Sequence, residues 1–148
     1  DWTFPGYGRV QRERILQSLA KAETGDSLVF DSLDYIPTRF FPAKSQLVLI
    51  SPLCIDDPPM LFRLRARGYQ LMVISPDPIS FEAQLLKPDK AVDLAVRIAR
   101  IERALLLRQL RRAGIQVVDW QTDKPFDQAI HTSLSRMANW FRAIGVAP

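Results

Sequence analysis

The sequence is poor in the residues that hold disulfides and structural zinc. It contains one cysteine, Cys54, and one histidine, His131, among 148 residues. One cysteine cannot form an intrachain disulfide, and one histidine cannot build a histidine-rich zinc site. Disulfide scaffolds, zinc fingers and cysteine–histidine proteases are therefore disfavoured, which leaves carboxylate, hydroxyl or arginine chemistry, or no chemistry at all.

Long apolar runs and glycine-rich loops are also lacking. No apolar stretch approaches the roughly 18 residues that cross a bilayer, and no charged start followed by an apolar stretch indicates a secretory signal. The six glycines form no phosphate-binding loop of the usual patterns, and no Gly-x-Ser-x-Gly elbow occurs. With 47 % hydrophobic and 24 % charged residues, we expect a soluble, cytoplasmic domain with one core.

The formal net charge of +4 resides in one segment. Between Ala91 and Ala113 six arginines accompany two carboxylates, and the charges elsewhere balance. The basic face that we assign to this predicted helix consists of Arg97, Arg100, Arg108 and Arg111. A broad basic surface with exposed aromatics is lacking, so nucleic acid is not the expected partner. The face is either a solvated helix surface or a surface for a polyanion or an acidic partner.

Two segments of the chain repeat the same pattern 24 residues apart. They are Gln-Leu-Val-Leu-Ile-Ser-Pro from Gln46 to Pro52 and Gln-Leu-Met-Val-Ile-Ser-Pro from Gln70 to Pro76. Each is a continuous apolar run, which is typical of a strand covered on both faces in a parallel sheet. The intervening Pro58–Gly68 predicts a helix with prolines in its first turn and glycine at its end. Together these segments predict a right-handed βαβ unit.

Hydrophobic periodicity predicts the remaining elements. Helices are expected at Gly8–Ala22, Leu28–Ile36, Lys90–Ala113 and Pro125–Ile144, a third strand at Ile115–Trp120, and a loop from Pro76 to Asp89. The inward face of the long helix is expected to contain Leu94, Ile98, Ile101, Leu105 and Leu106. His131 is expected on a surface or packing face of the last helix.

This element order belongs to the three-layer, doubly wound, Rossmann-like α/β class with a mostly parallel sheet. Three strands make a thin sheet, and the first of them would be an apolar edge if nothing paired with it. We therefore expect a partial domain, in which further strands lie upstream of Asp1 or come from another copy through self-association.

Polar side chains follow each predicted strand, where ligands of open parallel sheets bind. The candidates for a ligand or partner edge are Ser51, Asp56, Asp57, Ser75, Asp77 and Asp119. Carboxylate and hydroxyl oxygens could hold a hard cation such as Mg²⁺. An aspartate beside proline is equally a turn former, and Asp57 before Pro58 is an expected N-cap. A Mg²⁺-dependent enzyme or ligand-binding domain therefore remains open beside a binding module that has no catalytic residues.

Four segments in their order and spacing resemble a known bacterial family. They are residues 46–53, 67–78, 97–103 and 110–120, and the family is the domain-of-unknown-function family numbered fifty-eight, in its C-terminal part. Its members resemble a von Willebrand factor A domain and often accompany MoxR-type AAA+ ATPases. The resemblance implies that residues 1–148 are the C-terminal half of such a domain. It further implies a protein-interaction module that docks a MoxR-type ATPase at the carboxyl edge of the sheet.

The resemblance also bears on a metal site. A von Willebrand factor A domain binds a divalent metal through an Asp-x-Ser-x-Ser loop after its first strand, a middle-loop threonine and a later aspartate. Thr24 matches the middle loop, while the place of the later aspartate falls at Pro52, with Asp56 and Asp57 a few residues on. No Asp-x-Ser-x-Ser occurs in this chain. The resemblance therefore implies a metal site that is incomplete here.

Overall fold

The computed structural model describes residues 3, 4, 6–23 and 41–134, and the chain divides into two compact units, Asp1–Asp31 and Ser32–Pro148. The first unit contains helix α1, Gly8–Ala20, close to the predicted Gly8–Ala22. The Gln11 side-chain amide donates to the Phe4 carbonyl at 2.8 Å, which ties the preceding segment to the helix. The predicted helix at Leu28–Ile36 lies outside the described residues.

The second unit is a mixed helix and strand structure built on a parallel sheet. Its elements are β1 (Gln46–Ile50), α2 (Pro58–Ala66), β2 (Gln70–Pro76), α3 (Pro78–Ala83), α4 (Lys90–Arg112), β3 (Gln116–Trp120) and α5 (Phe126–Leu134). The sheet has the order β1-β2-β3 with all pairs parallel. The predicted three-stranded parallel sheet is thus confirmed. None of the helices in the described part is long and apolar enough to cross a membrane.

Glycines in a left-handed conformation follow the ends of two helices. Gly68 and Gly114 follow α2 and α4 with φ of +90° and +76°, a left-handed conformation that favours glycine at a helix end.

The prediction of a loop over the whole of Pro76–Asp89 is wrong, because α3 lies within it. Pro78 suits the first helical turn, and the Asp77 carboxylate caps the helix by accepting from the Ile79 N–H. Helix α5 is described only as far as Leu134, and the rest of its predicted length lies outside the described residues.

The two faces of the sheet are covered unequally. One face packs against α2 and α4 in a core that includes Leu61, Leu64, Val73, Leu107 and Leu110. The opposite face packs against α5 in a smaller cluster formed by Met72, Ile74 and Val118, with Ala129 and Ile130 against it. The central strand β2 is therefore buried on both sides, as its continuous apolar run predicts.

The edge strand β1 has one open face. Val48 and Ile50 are 52 % and 68 % exposed, although they pair with the buried Met72 and Ile74 of β2. The prediction that this strand is covered on both faces is wrong. Helix α5 contacts β3, at the far edge of the sheet, and does not shield the β1 side chains on the same face.

The orientation of α4 also differs from the prediction. Leu107 and Leu110 are its buried residues, and Leu106 packs against the same core. The expected inward residues Leu94, Ile98, Ile101 and Leu105 are instead 48 to 61 % exposed. Only Leu106 of the predicted face points inward. The helix has apolar residues on two opposite sides, and the sheet covers the side that also bears Arg103.

Candidate binding site at the carboxyl ends of the strands

The guanidinium of Arg103 joins the carboxyl ends of all three strands. Its Nη1 donates to the carbonyl of Pro52, just after β1, at 3.1 Å. Its Nη2 lies 3.1 Å from the carbonyl and 3.0 Å from the hydroxyl of Ser75 in β2, and 2.9 Å from Oδ1 of Asp119 in β3. Because guanidinium is planar and has donors in several directions, one side chain can bridge these acceptors.

Asp77 is the second charged partner of Arg103. Its Oδ1 lies 3.5 Å from Arg103 Nε, and both side chains are about nine-tenths buried. The same carboxylate accepts hydrogen bonds from the Ile79 N–H and the Ser80 hydroxyl at the start of α3. Asp77 therefore caps α3 and neutralises the buried arginine at once. A buried charge of this kind is tolerated only when it is paired and hydrogen-bonded.

Three of the six predicted edge residues meet at Arg103, and three do not. Ser75, Asp77 and Asp119 contact the guanidinium. Ser51 instead accepts from the Leu53 N–H with its hydroxyl at 3.2 Å, and Asp56 is exposed in a turn. Sequence reasoning missed Arg103 itself. The available signal was its spacing of three, four and seven residues from Leu106, Leu107 and Leu110, which puts it on the buried face of α4.

Asp57 occupies the N-cap position of α2, but its side chain makes no capping hydrogen bond there. The predicted capping role of its carboxylate is wrong. Pro59 at the second helical position has no N–H to donate, and Asp57 has αR backbone angles instead of the extended ones usual at an N-cap. Its carboxylate accepts from the Cys54 N–H at 2.7 Å. This contact closes the loop after β1.

The carboxylates at the strand ends do not fit a divalent cation. Within the described residues, no three side chains of the aspartate, glutamate, histidine or cysteine type come together as metal ligands. Asp77 and Asp119 have Arg103 as their counter-ion, and a cation would have to displace that guanidinium. Thr24, the remaining candidate ligand, lies outside the described residues.

A small apolar pocket opens beside Arg103. It has a volume of about 200 Å³ and is lined by Leu53, Cys54, Ile55, Pro78, Ile79, Ala99, Glu102, Arg103 and Leu106. Sites for drug-sized ligands and cofactors usually measure roughly 300 to 1,000 Å³. The pocket is therefore of a size for one apolar side chain, not for a nucleotide.

The loop that forms one wall of this pocket is held in a strained shape. Leu53 has a φ of +66°, which is unfavourable for a bulky residue that carries a Cβ. Its N–H donates to the Ser51 hydroxyl, and the carbonyl of neighbouring Pro52 accepts from both Arg103 and Ser75. These hydrogen bonds keep the loop in place against the strain.

The predicted basic face of α4 lies in solvent. Arg97, Arg100, Arg108 and Arg111 are all exposed, and no carboxylate of the described residues forms an ion pair with them. The single cysteine and the single histidine are exposed as well, Cys54 at the pocket and His131 on α5.

Comparison of the chain with known protein families, with curated proteins and with solved structures yields no match. The structure itself defines the chain as a mixed α/β protein with a three-stranded parallel sheet. Its strand ends are tied together by one buried arginine.

Proposed function

We propose that this chain is a protein-interaction module resembling a von Willebrand factor A domain, which docks a partner protein at the carboxyl edge of its sheet. The observation that carries this proposal is the use of Arg103 at that edge. Its guanidinium pairs with Asp77 and Asp119 and donates to the carbonyls of Pro52 and Ser75, groups that lie where a doubly wound sheet binds polar ligands. An accessible apolar pocket lies beside it.

The pocket and its rim suit one inserted side chain of a partner. Ile55 at the rim is 77 % exposed, so its side chain is accessible to a partner. Leu53, Ile79 and Leu106 line the walls. Binding energy at protein interfaces is concentrated in such pockets, where a large side chain becomes fully desolvated. A leucine, methionine or aromatic side chain of the partner would enter the pocket and, in doing so, would also cover Ile55.

The family resemblance favours a MoxR-type AAA+ ATPase as this partner. It also favours further strands beyond β1, as in the six-stranded sheet of a von Willebrand factor A domain. Two features of β1 support that continuation: none of its five residues is charged, and a groove of about 270 Å³ runs beside it, lined in part by Phe41, Leu47 and Leu49. Natural edge strands usually carry charges or prolines that block pairing.

The test measures binding of the purified chain to a MoxR-type ATPase of its source organism by biolayer interferometry. Ile55→Glu places a charge at the pocket rim, and we expect it to weaken binding at least about tenfold. Val10→Glu on α1, also at an exposed apolar position, is the matched control and should bind as the unchanged chain does. Equal binding by the Ile55 variant would refute docking at this edge, and failure of the unchanged chain to bind would refute the partner.

The alternative, a Mg²⁺-dependent enzyme or ligand-binding domain, is less well supported because Arg103 neutralises Asp77 and Asp119. Calorimetric titration with Mg²⁺ and Mn²⁺ distinguishes the two functions. We expect no heat of binding at millimolar metal. Saturable heat that disappears in an Asp77→Asn variant would favour the alternative.

A further inference from the structure

Helix α4 presents a narrow apolar stripe to solvent. The stripe consists of Leu94, Ile98, Ile101 and Leu105, each about half exposed or more. At 100° per residue it lies nearly opposite Leu107 and Leu110, which face the sheet. The two apolar sides of α4 are therefore separate surfaces, and the outer one is not part of the core.

The spacing of the stripe is that of a coiled-coil seam. Its residues follow each other at intervals of four, three and four, as alternating d and a positions of a heptad do. They cover only about 60° of the helix circumference. A helix that lies on a lipid surface usually has a wider apolar face. The narrow stripe is suited to a second helix packed along it.

Charges beside the stripe are mostly positive. In the same heptad numbering Lys90, Arg97 and Arg111 occupy g positions on one flank, whereas Ala95, Glu102 and Gln109 occupy e positions on the other. Arg108 and Arg112 continue the seam itself at its C-terminal end. Arg97, Arg108 and Arg111 are exposed and form no ion pair with a described residue, so they are available to a partner.

A second copy of the chain fits this pattern poorly in either direction. Parallel pairing would place Arg97 opposite Glu102 of the other copy, but it would also place Arg108 opposite Arg108 and Arg112 opposite Arg112 within the seam. Antiparallel pairing would place g positions opposite g positions, and thus Lys90 opposite Arg111. Like charges at facing positions destabilise helix pairing.

We propose that the outer face of α4 binds an amphipathic helix of another protein, one with an apolar seam flanked by carboxylates. Leu94, Ile98, Ile101 and Leu105 would pack into that seam, and Arg97 and Arg108 would meet the carboxylates. This inference does not depend on the docking pocket proposed above, since it concerns a different face and a different kind of contact.

The test uses a labelled synthetic peptide of about four heptads with leucine at a and d and glutamate at e and g. Repulsion between its own glutamates keeps this peptide from pairing with itself. A matched peptide has lysine at e and g. Fluorescence anisotropy against the full chain should show binding of the glutamate peptide at least about tenfold tighter than the lysine peptide, and binding that weakens as salt is added.

Two variants of the chain locate the binding surface. Ile101→Asp breaks the seam at an exposed position, and the pair Arg97→Glu with Arg108→Glu reverses the flanking charge. Each should weaken binding of the glutamate peptide at least about tenfold while circular dichroism stays unchanged, and Ile55→Glu should leave it unaltered. Equal binding of the two peptides, no binding of the glutamate peptide, or insensitivity to both variants would overturn the proposal.

A second copy of the chain or a membrane surface, if either bound the stripe, would be detected by other measurements. Sedimentation velocity that showed a dimer lost on Ile101→Asp would assign the face to a second copy. Co-sedimentation with phosphatidylserine vesicles that was lost on the same change would assign it to a membrane surface. Either result would overturn the choice of an acidic helix. A monomer that ignores the vesicles and binds the glutamate peptide would support it.

Discussion

Replacing Arg103 by methionine should destabilise the second unit more than any other single change to the charged residues of α4. Methionine keeps much of the side-chain volume and removes the guanidinium. Four oxygen acceptors within 3.1 Å then lose a hydrogen bond from Arg103: the Pro52 carbonyl, which keeps one from the Ser75 hydroxyl, the Ser75 carbonyl and hydroxyl, and Asp119 Oδ1. Ser75 is completely buried, so water cannot replace the lost donor at its oxygens.

The size of the effect follows mainly from the buried groups. Asp77 keeps its hydrogen bonds from Ile79 and Ser80 but loses its counter-ion in a buried place, and breaking a buried ion pair costs about 3–5 kcal/mol. The Asp119 side chain is 42 % exposed, so hydration replaces most of its contribution. We therefore expect a loss of about 3–5 kcal/mol from a total that is ordinarily about 5–15 kcal/mol. This corresponds to a fall in Tm of roughly 10–20 °C.

Urea unfolding followed by circular dichroism measures this change, with Arg100→Met as the matched control. Arg100 lies on the same helix in solvent, and its replacement should change the free energy of unfolding by no more than about 0.5 kcal/mol. Adding Asp77→Asn to the Arg103→Met variant should restore part of the loss, because the uncompensated charge is then removed. A loss below about 1 kcal/mol, or one equal to that of the control, would refute the assigned role of Arg103.

Three further changes test the packing and the turns. Gly114→Ala should cost about 1 kcal/mol, since φ there is +76° and the added Cβ makes only ordinary contacts; urea unfolding measures it. Val73→Ala should cost about 2–4 kcal/mol in the same assay, whereas Val48→Ala on the open face of β1 should cost less than about 1 kcal/mol, and equal costs would contradict the open face. Asp77→Ala should increase amide hydrogen exchange throughout α3, whose cap it removes, and unchanged exchange there would contradict the capping role.

The repeated segments of the sequence predicted the strands and also anticipated their pairing. Gln46 pairs with Gln70 and Ile50 with Ile74, so the 24-residue separation of the repeats is the register of the two strands. Glycines and prolines marked most helix ends. Periodicity could not identify which side of α4 is buried, because this helix has two apolar sides. The sheet covers the side with Leu106, Leu107 and Leu110, of which only Leu106 was predicted to face inward. Nor could a continuous apolar run distinguish the edge strand β1 from the central β2.

Three of the six residues predicted for the strand-end edge contact Arg103, and Arg103 itself was not predicted. Ser75, Asp77 and Asp119 followed from the rule that strand ends carry the polar groups of a parallel sheet. The net charge counts Arg103 as one of six arginines on a predicted helix and does not distinguish a buried arginine from a solvated one. Its spacing from Leu106, Leu107 and Leu110 is a local signal for burial, but its partners lie on three strands that are far apart in the chain, and no local pattern encodes those contacts.

The position of Arg103 changes what the strand ends can do. In doubly wound proteins the same edge often binds phosphates through glycine-rich loops and helix N-termini. This chain has no such loop, and Arg103 of α4 instead pairs with the carboxylates of Asp77 and Asp119 and donates to the carbonyls of Pro52 and Ser75. A ligand that competed for them would have to expel a guanidinium that holds three strands together, at a cost comparable to the stability lost in Arg103→Met. Recognition is therefore expected at surfaces that leave this arginine in place: the rim at Ile55, the open side of β1 and the outer stripe of α4.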